Sequence, residues 1–238
     1  MTTTNSAIPK ASDPLPTGEE KAKSVQALFD AIAPRYDLVN RLMTFGLDVT
    51  WRRKTMKMLS LKPGSLVADL ACGTGDFCRE IRQGGHVPVG FDLALGMLQA
   101  ARTDAQLVHA DALRLPVLDA SFDAVTCGFA LRNFVALDGF FDEVARITRS
   151  GGRIAFLDVS APSSPLLRGG FDFYFGRVVP KIGGLLSNAD AYEYLPRSVA
   201  YLPERDELVR LVETAGFTDV EHHQLTGGLT QLIIANRA

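Results

Sequence analysis

Asp69, Gly73, Thr74, Gly75 and Asp76 crowd into one short stretch, DLACGTGDF, which begins at Asp69. Glycines two apart let a backbone lie close against a ligand. A turn of this kind between a strand and a helix suits the pyrophosphate of a dinucleotide, held on the exposed amides of the helix N-terminus. Two features oppose that ligand. Cys78 stands where the third glycine of G-x-G-x-x-G belongs. Asp76 falls in the first helical turn, where a carboxylate satisfies the helix dipole and repels a second anion. Asp69, at the end of the preceding strand, adds to the repulsion.

A ligand with adenosine, positive charge and no phosphate turns that repulsion into attraction. S-adenosylmethionine is such a molecule, with a sulfonium and an α-ammonium for Asp69 and Thr74 to meet and two glycines to lie against. Asp92, in GFD, stands about where a ribose-binding carboxylate follows a glycine turn. Asp111 and Ala112, in HADA, close a third strand and offer an acceptor to an adenine amino group. Each aspartate taken singly reads sooner as a solvated strand end or a helix cap than as a ligand. Three acidic strand ends on successive units point to one ligand at the carboxyl edge of a sheet. An NAD-dependent oxidoreductase and a non-catalytic cofactor-binding protein are the rival classes.

The elements that must position these residues follow from periodicity. Thr17-Gly18-Glu19-Glu20 has the form of a capping box. Helical spacing then carries Val25, Leu28, Phe29 and Ile32 to Pro34, a second helical piece runs from Tyr36 towards Gly46, and a third opens at Asp48. From residue 65 strands and helices alternate: SLVADLA, a helix over 76–83, VPVGFD, a helix over 94–102, QLVHAD, FDAVTCGFAL, a helix over 137–148 and GGRIAFLDVS. That alternation predicts an α/β fold, Rossmann-like, with a mostly parallel sheet and helices on both faces. VEHHQL and TQLIIANR, joined by Thr226-Gly227-Gly228, predict a C-terminal antiparallel hairpin. Residues 1–16 read as a disordered leader and 17–238 as one domain, with a helical appendage over 17–60 and an insertion over 161–203 long enough for a lid.

Composition narrows the partners. The 238 residues are 47% hydrophobic with a formal net charge of -2, so no basic field invites nucleic acid. Cys72, Cys78 and Cys127, with four histidines, form neither a zinc nor a disulfide framework, and a reducing cytoplasm is the simplest setting. His222 and His223 are adjacent on a strand, so at most one can face a pocket. No run of about eighteen uncharged apolar residues spans a membrane.

Five segments together resemble the quinone-ring C-methyltransferases of menaquinone and ubiquinone biosynthesis, within the class I S-adenosylmethionine-dependent enzymes: FDAIAPRYDLVNRLMTFGLDVTWRR (29–53), DLACGTGD (69–76), FALRN (129–133), YEYLPRSV (192–199) and LTGG (225–228). The similarity runs from about residue 20 to the C-terminus. It implies a class I methyltransferase fold and C-methylation of a reduced prenylated naphthoquinone, demethylmenaquinol. It places Thr74, Asp92, Asp111 and Ala112 at cofactor positions. Gly128 stands where the family carries serine, Asp158 where it carries glutamate, and GGLTQLI replaces its usual last-strand pattern. A methyltransferase for another phenolic or polyketide metabolite is the neighbouring reading.

For such chemistry the ring must be the hydroquinone, since an oxidised quinone is electrophilic. Arg132 and Asn133, at the end of the fourth strand, are the candidates to handle the ring oxygen, Arg132 through fixed charge. The other reading of Arg132 is a strand-end cation paired with a nearby aspartate. Tyr36, Asp37 and Asn40 of the appendage and Tyr192 and Tyr194 of the insertion could close over the acceptor, although aromatics also serve as packing. A prenyl tail requires transient contact with the inner face of the cytoplasmic membrane. PLLRGGFDFYFGRVVPKIGGLL, with Arg168, Arg177 and Lys181, and the basic WRRKTMK have compositions suited to it, or to a core-facing lid and a solvated helix.

Overall fold

The computed structural model describes residues 15–160, 162, 164, 168–170, 173–179, 194 and 197–238. Seven strands form one sheet: β1 (Leu66–Leu70), β2 (Val87–Asp92), β3 (Gln106–His109), β4 (Phe122–Gly128), β5 (Thr148–Val159), β6 (Phe217–Leu225) and β7 (Thr230–Arg237), in the order β3-β2-β1-β4-β5-β7-β6. The first five pair in parallel, and β7 runs antiparallel to both β5 and β6, as the alternating pattern and the last hairpin predict. The inner strands are buried along nearly their whole length, because helices cover both faces and leave no solvated side to alternate with.

The chain reverses its winding between β1 and β4. That is the topological switch point, and the glycine turn opens there between β1 and α4 (Asp76–Gln83). Also on the sheet are α5 (Leu95–Gln99), α6 (Leu137–Ile147) and α7 (Arg205–Thr214). One core cluster, with Phe140, Phe141 and Phe156, lies beneath α6 and α7, and a second, with Phe77, Ile81 and Leu157, lies on the other face.

The appendage consists of α1 (Gly18–Ile32), α2 (Tyr36–Met43) and α3 (Leu47–Leu59). A third cluster, with Leu28, Ile32, Val39, Met43 and Met97, welds α1 and α2 to α5. Pro34 opens a single 3₁₀ turn between α1 and α2, where its missing N–H does no harm. Three expectations change here. Thr17 takes the N-cap position but makes no side-chain capping bond, so the capping box is not formed. The third helix starts at Leu47 after Gly46, at φ +74°, because the Asp48 carboxylate serves Arg41, Arg52 and Thr44 rather than a cap. Leu15 and Pro16 belong to the fold, Leu15 against the third cluster and the Pro16 carbonyl accepting from Tyr201 Oη at 2.5 Å.

Residues 1–14, Tyr192 and most of 161–203 lie outside the described residues. In the remainder of the insertion, a π-type turn over Tyr174–Val178 is tied to α2 by Tyr174 Oη, which donates to the Met43 carbonyl at 2.8 Å. Among the described residues no helix is long and apolar enough to cross a membrane.

Candidate active site

Two cavities meet at the carboxyl edge of β1, β2 and β4. The first, an open cleft of about 870 Å³ counted out through its mouth into solvent, is lined by Gly73, Asp92, Asp111 and Ala112 from the strand ends and by Val25 and Phe29 from α1. Asp92 is the organising group. Its Oδ2 accepts from the Gly73 N–H at 2.7 Å and its Oδ1 from the Ala94 N–H at 2.8 Å, which locks the carboxylate across the mouth of the glycine turn. Burial raises its pKa, opposed by those two amides. Each oxygen keeps a lone pair for a ribose hydroxyl. Asp111 caps its own turn by accepting from the Leu113 N–H at 2.9 Å, beside the buried Ala112.

Gly75 and Thr74 support the turn from behind the cavity. Gly75 sits at φ +84° and a Cβ there would stand 2.5 Å from the Thr103 side chain, so glycine is required twice over. The buried Thr74 hydroxyl donates to Asp37 of α2, which ties the appendage to the turn. Asp69 is turned away from the ligand side. It accepts from Thr126 Oγ1 at 2.9 Å and faces Cys78 Sγ at 3.3 Å, inside the sheet. The expectation that Asp69 meets the methionine end is therefore not carried by its side-chain direction. Asp76 also differs from its reading as a bare repelling charge, because Arg79, Arg41 and Arg52 all pair with it.

The second cavity is larger, about 1420 Å³ counted out through its mouth into solvent, and mostly apolar. Met43, Trp51, Val179 and Leu229 supply apolar wall, Asn40 and Thr44 polar spots, and Arg52 and Arg132 positive charge. Tyr36 and Phe129 line both cavities and form the partition between them. Phe129 holds its place in a left-handed conformation, at φ +63°, which costs a non-glycine residue about 1 kcal/mol or more. Its N–H donates to the Leu157 carbonyl at 2.6 Å, and its own carbonyl accepts from Arg132 Nη1 at 2.7 Å. Burial raises the pKa of Tyr36, against a hydrogen bond from Asn40, so it stays a phenol at neutral pH.

Arg132 and Asn133, adjacent in sequence, separate in space. Both belong to a 3₁₀ turn over Leu131–Asn133, where successive side chains point about 120° apart. Arg132 faces the larger cavity, ion-paired with the fully buried Asp158 and donating from Nε to Ser198 Oγ at 3.0 Å. The contacts are those of the reading as an arginine paired with a nearby aspartate. Asn133 faces the smaller cavity, and neither its Oδ1 nor its Nδ2 has a hydrogen-bond partner although both are buried. An orphaned amide of this kind fits a ligand with its own donors and acceptors. Tyr194 is buried in the third cluster rather than on the cavity wall. Gln26, Phe29 and Asn133 carry no local sequence signal as cofactor-side residues, since only the docking of α1 and the 3₁₀ turn brings them there.

The serine-to-glycine departure at 128 also has a structural cause. A Cβ on Gly128 would come within 2.7 Å of the Phe77 ring, which fills that side of β4.

A seven-stranded sheet in this order, with acidic side chains at the β2 and β3 ends around a glycine turn, defines the class I S-adenosylmethionine-dependent methyltransferases. The chain shares this fold with the Haemonchus contortus phosphoethanolamine N-methyltransferase 2 solved with S-adenosyl-L-methionine, at TM-score 0.58 and 14% identity over 79% of this chain and 52% of that one. The model of the ubiE/COQ5 methyltransferase family matches residues 17–237, and the protein belongs to that family. It is 38% identical to the demethylmenaquinone methyltransferase of Corynebacterium kroppenstedtii over 93% of this chain and 97% of that one. It is 37% identical to the ubiquinone/menaquinone biosynthesis C-methyltransferase of Geobacter sp. strain M21, over 92% and 98%. The methyl donor is S-adenosylmethionine, and the smaller cavity presents the strand-end carboxylates Asp92 and Asp111 and the amide of Asn133.

Proposed function

We propose that this protein methylates a ring carbon of a reduced prenylated naphthoquinone, demethylmenaquinol, in menaquinone biosynthesis at the inner face of the cytoplasmic membrane. The observation that carries the acceptor is the large apolar cavity sharing Tyr36 and Phe129 with the cofactor cavity. A fused-ring hydroquinone with an isoprenoid tail suits its mostly apolar lining.

Asp92, Asp111 and Asn133 would hold the adenosine, and Gly73 would lie against the methionine portion. When bound, S-adenosylmethionine supplies an electrophilic methyl on a positive sulfonium. Tyr36 and Phe129 would frame the opening between the cavities and align the ring carbon for an in-line displacement. Arg132, held by Asp158 and Ser198, would meet the ring oxygen and stabilise the phenolate that forms when its proton leaves. The ring carbon beside that oxygen would take the methyl as sulfur leaves as a neutral thioether; the ring carbon would then lose its proton and the oxygen would take one back, so that one proton is released overall and the hydroquinone is restored. Asn40 and the neutral Tyr36 hydroxyl would orient the second ring oxygen.

The test uses purified protein, trideuteromethyl-labelled S-adenosylmethionine and chemically reduced short-tail demethylmenaquinone, with mass spectrometry of the product. Label on the ring carbon is the expected result. No label on this acceptor, with the cofactor still bound, would reassign the protein to another phenolic metabolite. Arg132→Lys keeps a charge for Asp158 but loses the guanidinium fork, and should lower kcat by about 10²-fold with cofactor affinity within twofold of wild type. An unchanged kcat removes Arg132 from the chemistry.

A further inference from the structure

α2 is apolar on two faces. Val39 and Met43 are buried in the third cluster, whereas Leu38 and Leu42, one turn apart on another face, are 55% and 46% exposed. Phe45, just past the helix, is 79% exposed, and its ring lies 5.8 Å from that of Tyr174. Phe173, beside it in sequence, is 57% exposed. A short surface helix that spends a second face on large apolar side chains is displaying them to something other than water.

Position and charge indicate what that is. Phe45 and Tyr174 also line the large cavity, so this apolar surface borders its wall. From residue 35 to 47 the only acidic side chain is Asp37, and its carboxylate is occupied by Thr74. Arg168 and Arg177 are exposed, with the Arg177 guanidinium 5.7 Å from the Phe173 ring centre. Over 165–181 the sequence carries Arg168, Arg177 and Lys181 against the single acid Asp172. Exposed apolar side chains with an arginine beside them are the surface chemistry of an anionic lipid interface. In the other basic stretch, WRRKTMK, Trp51, Arg52, Thr55 and Met56 are buried and Arg53 pairs with Glu80, which leaves Lys54 and Lys57 as its exposed cations.

We infer that Leu38, Leu42, Phe45 and Phe173 form a lipid-docking face that seats the large cavity on an anionic bilayer, so that a prenylated acceptor passes from lipid into the cavity. The role for the acceptor rests on the proposed function; binding of the face to lipid does not depend on it.

The experiment compares wild type with Leu38→Glu/Leu42→Glu, two exposed positions outside both cavity walls. Cosedimentation uses vesicles of 30% phosphatidylglycerol in phosphatidylcholine, without acceptor, at low and physiological salt. A drop in bound fraction of about tenfold or more is expected for the variant, with cofactor affinity and thermal midpoint unchanged. Methylation of long-tail demethylmenaquinol in the same vesicles should fall in parallel, while the rate on a short-tail acceptor in solution stays at wild type. Equal vesicle binding by the two proteins, or no sedimentation of wild type, overturns the face. A wild-type dimer that the substitutions split into monomers also overturns it, in favour of contact between two copies. Vesicle binding that is lost in the variant, with no methylation of either acceptor by wild type, supports the face and overturns the acceptor assignment instead.

Discussion

Asp69 is 1% exposed at the end of β1, and burial pushes its pKa from the ordinary 3.8 to about 7 against the bonds from Thr126 and Cys78. In the unfolded chain the same carboxyl ionises near 3.8. Between those values the folded protein keeps a proton that the unfolded chain has released. Stability from this group is therefore fullest below about pH 4 and falls as pH rises to about 7. At about 1.4 kcal/mol for each pH unit, the loss from pH 5 to 7.5 is roughly 2 to 3 kcal/mol. Asp69→Asn cannot ionise, so its urea-unfolding free energies at the two pH values should lie closer together than those of wild type by that amount. Equal pH slopes would show that Asp69 is ionised in the fold.

At the scale of the element, α1 acts as a roof over the cofactor cavity, and polar ties hold it down. Lys21 Nζ donates to the Phe134 carbonyl at 2.7 Å and sits 3.7 Å from the Tyr201 ring centre. Gln26 Nε2 donates to the Leu93 carbonyl at 3.1 Å, and Asp30 accepts from the Gly96 N–H at 2.7 Å. A charged hydrogen bond together with a cation–π contact is worth about 1 to 3 kcal/mol. Lys21→Met should loosen the roof and weaken S-adenosylmethionine binding by about tenfold, read by calorimetry. Burial lowers the Lys21 ammonium to about 8. The cation–π contact belongs to the charged form, so wild-type affinity should decline as pH rises through about 8. That decline should be missing in Lys21→Met, and an identical pH profile would mean that the roof closes without Lys21.

For the whole molecule, the cofactor cavity joins α1, the strand ends and the turn after β4, so its ligand binds the native state and not the unfolded chain. At one hundred times Kd, such a ligand adds about 2.7 kcal/mol. For a chain of this size that raises Tm by about 5 to 10 °C, measurable by differential scanning fluorimetry. NADH at the same concentration should leave Tm unchanged, because nothing in the cavity replaces the missing glycine at Cys78. A shift with NADH would return the oxidoreductase reading.

Much of this architecture is written locally in the chain. The helix over 76–83, the strands over 87–92 and 230–237 and the turn at Gly73 and Gly75 coincide with their expected places, because side-chain periodicity and φ requirements are properties of adjacent residues. The acidic strand ends at Asp92 and Asp111 are legible for the same reason, since parallel strands deliver their ends to one edge. α7 leaves little trace in the sequence, as Leu208 and Val212 are only two buried apolar positions in a mostly charged stretch. Tertiary structure alone decided the direction of each site side chain. It turned Asp69 inward, sent Arg132 and Asn133 into different cavities, set Phe77 against Gly128 and placed Tyr36 beside Phe129 from almost a hundred residues away. Those outcomes depend on packing between distant segments and on backbone in irregular turns, and neither leaves a period in the sequence.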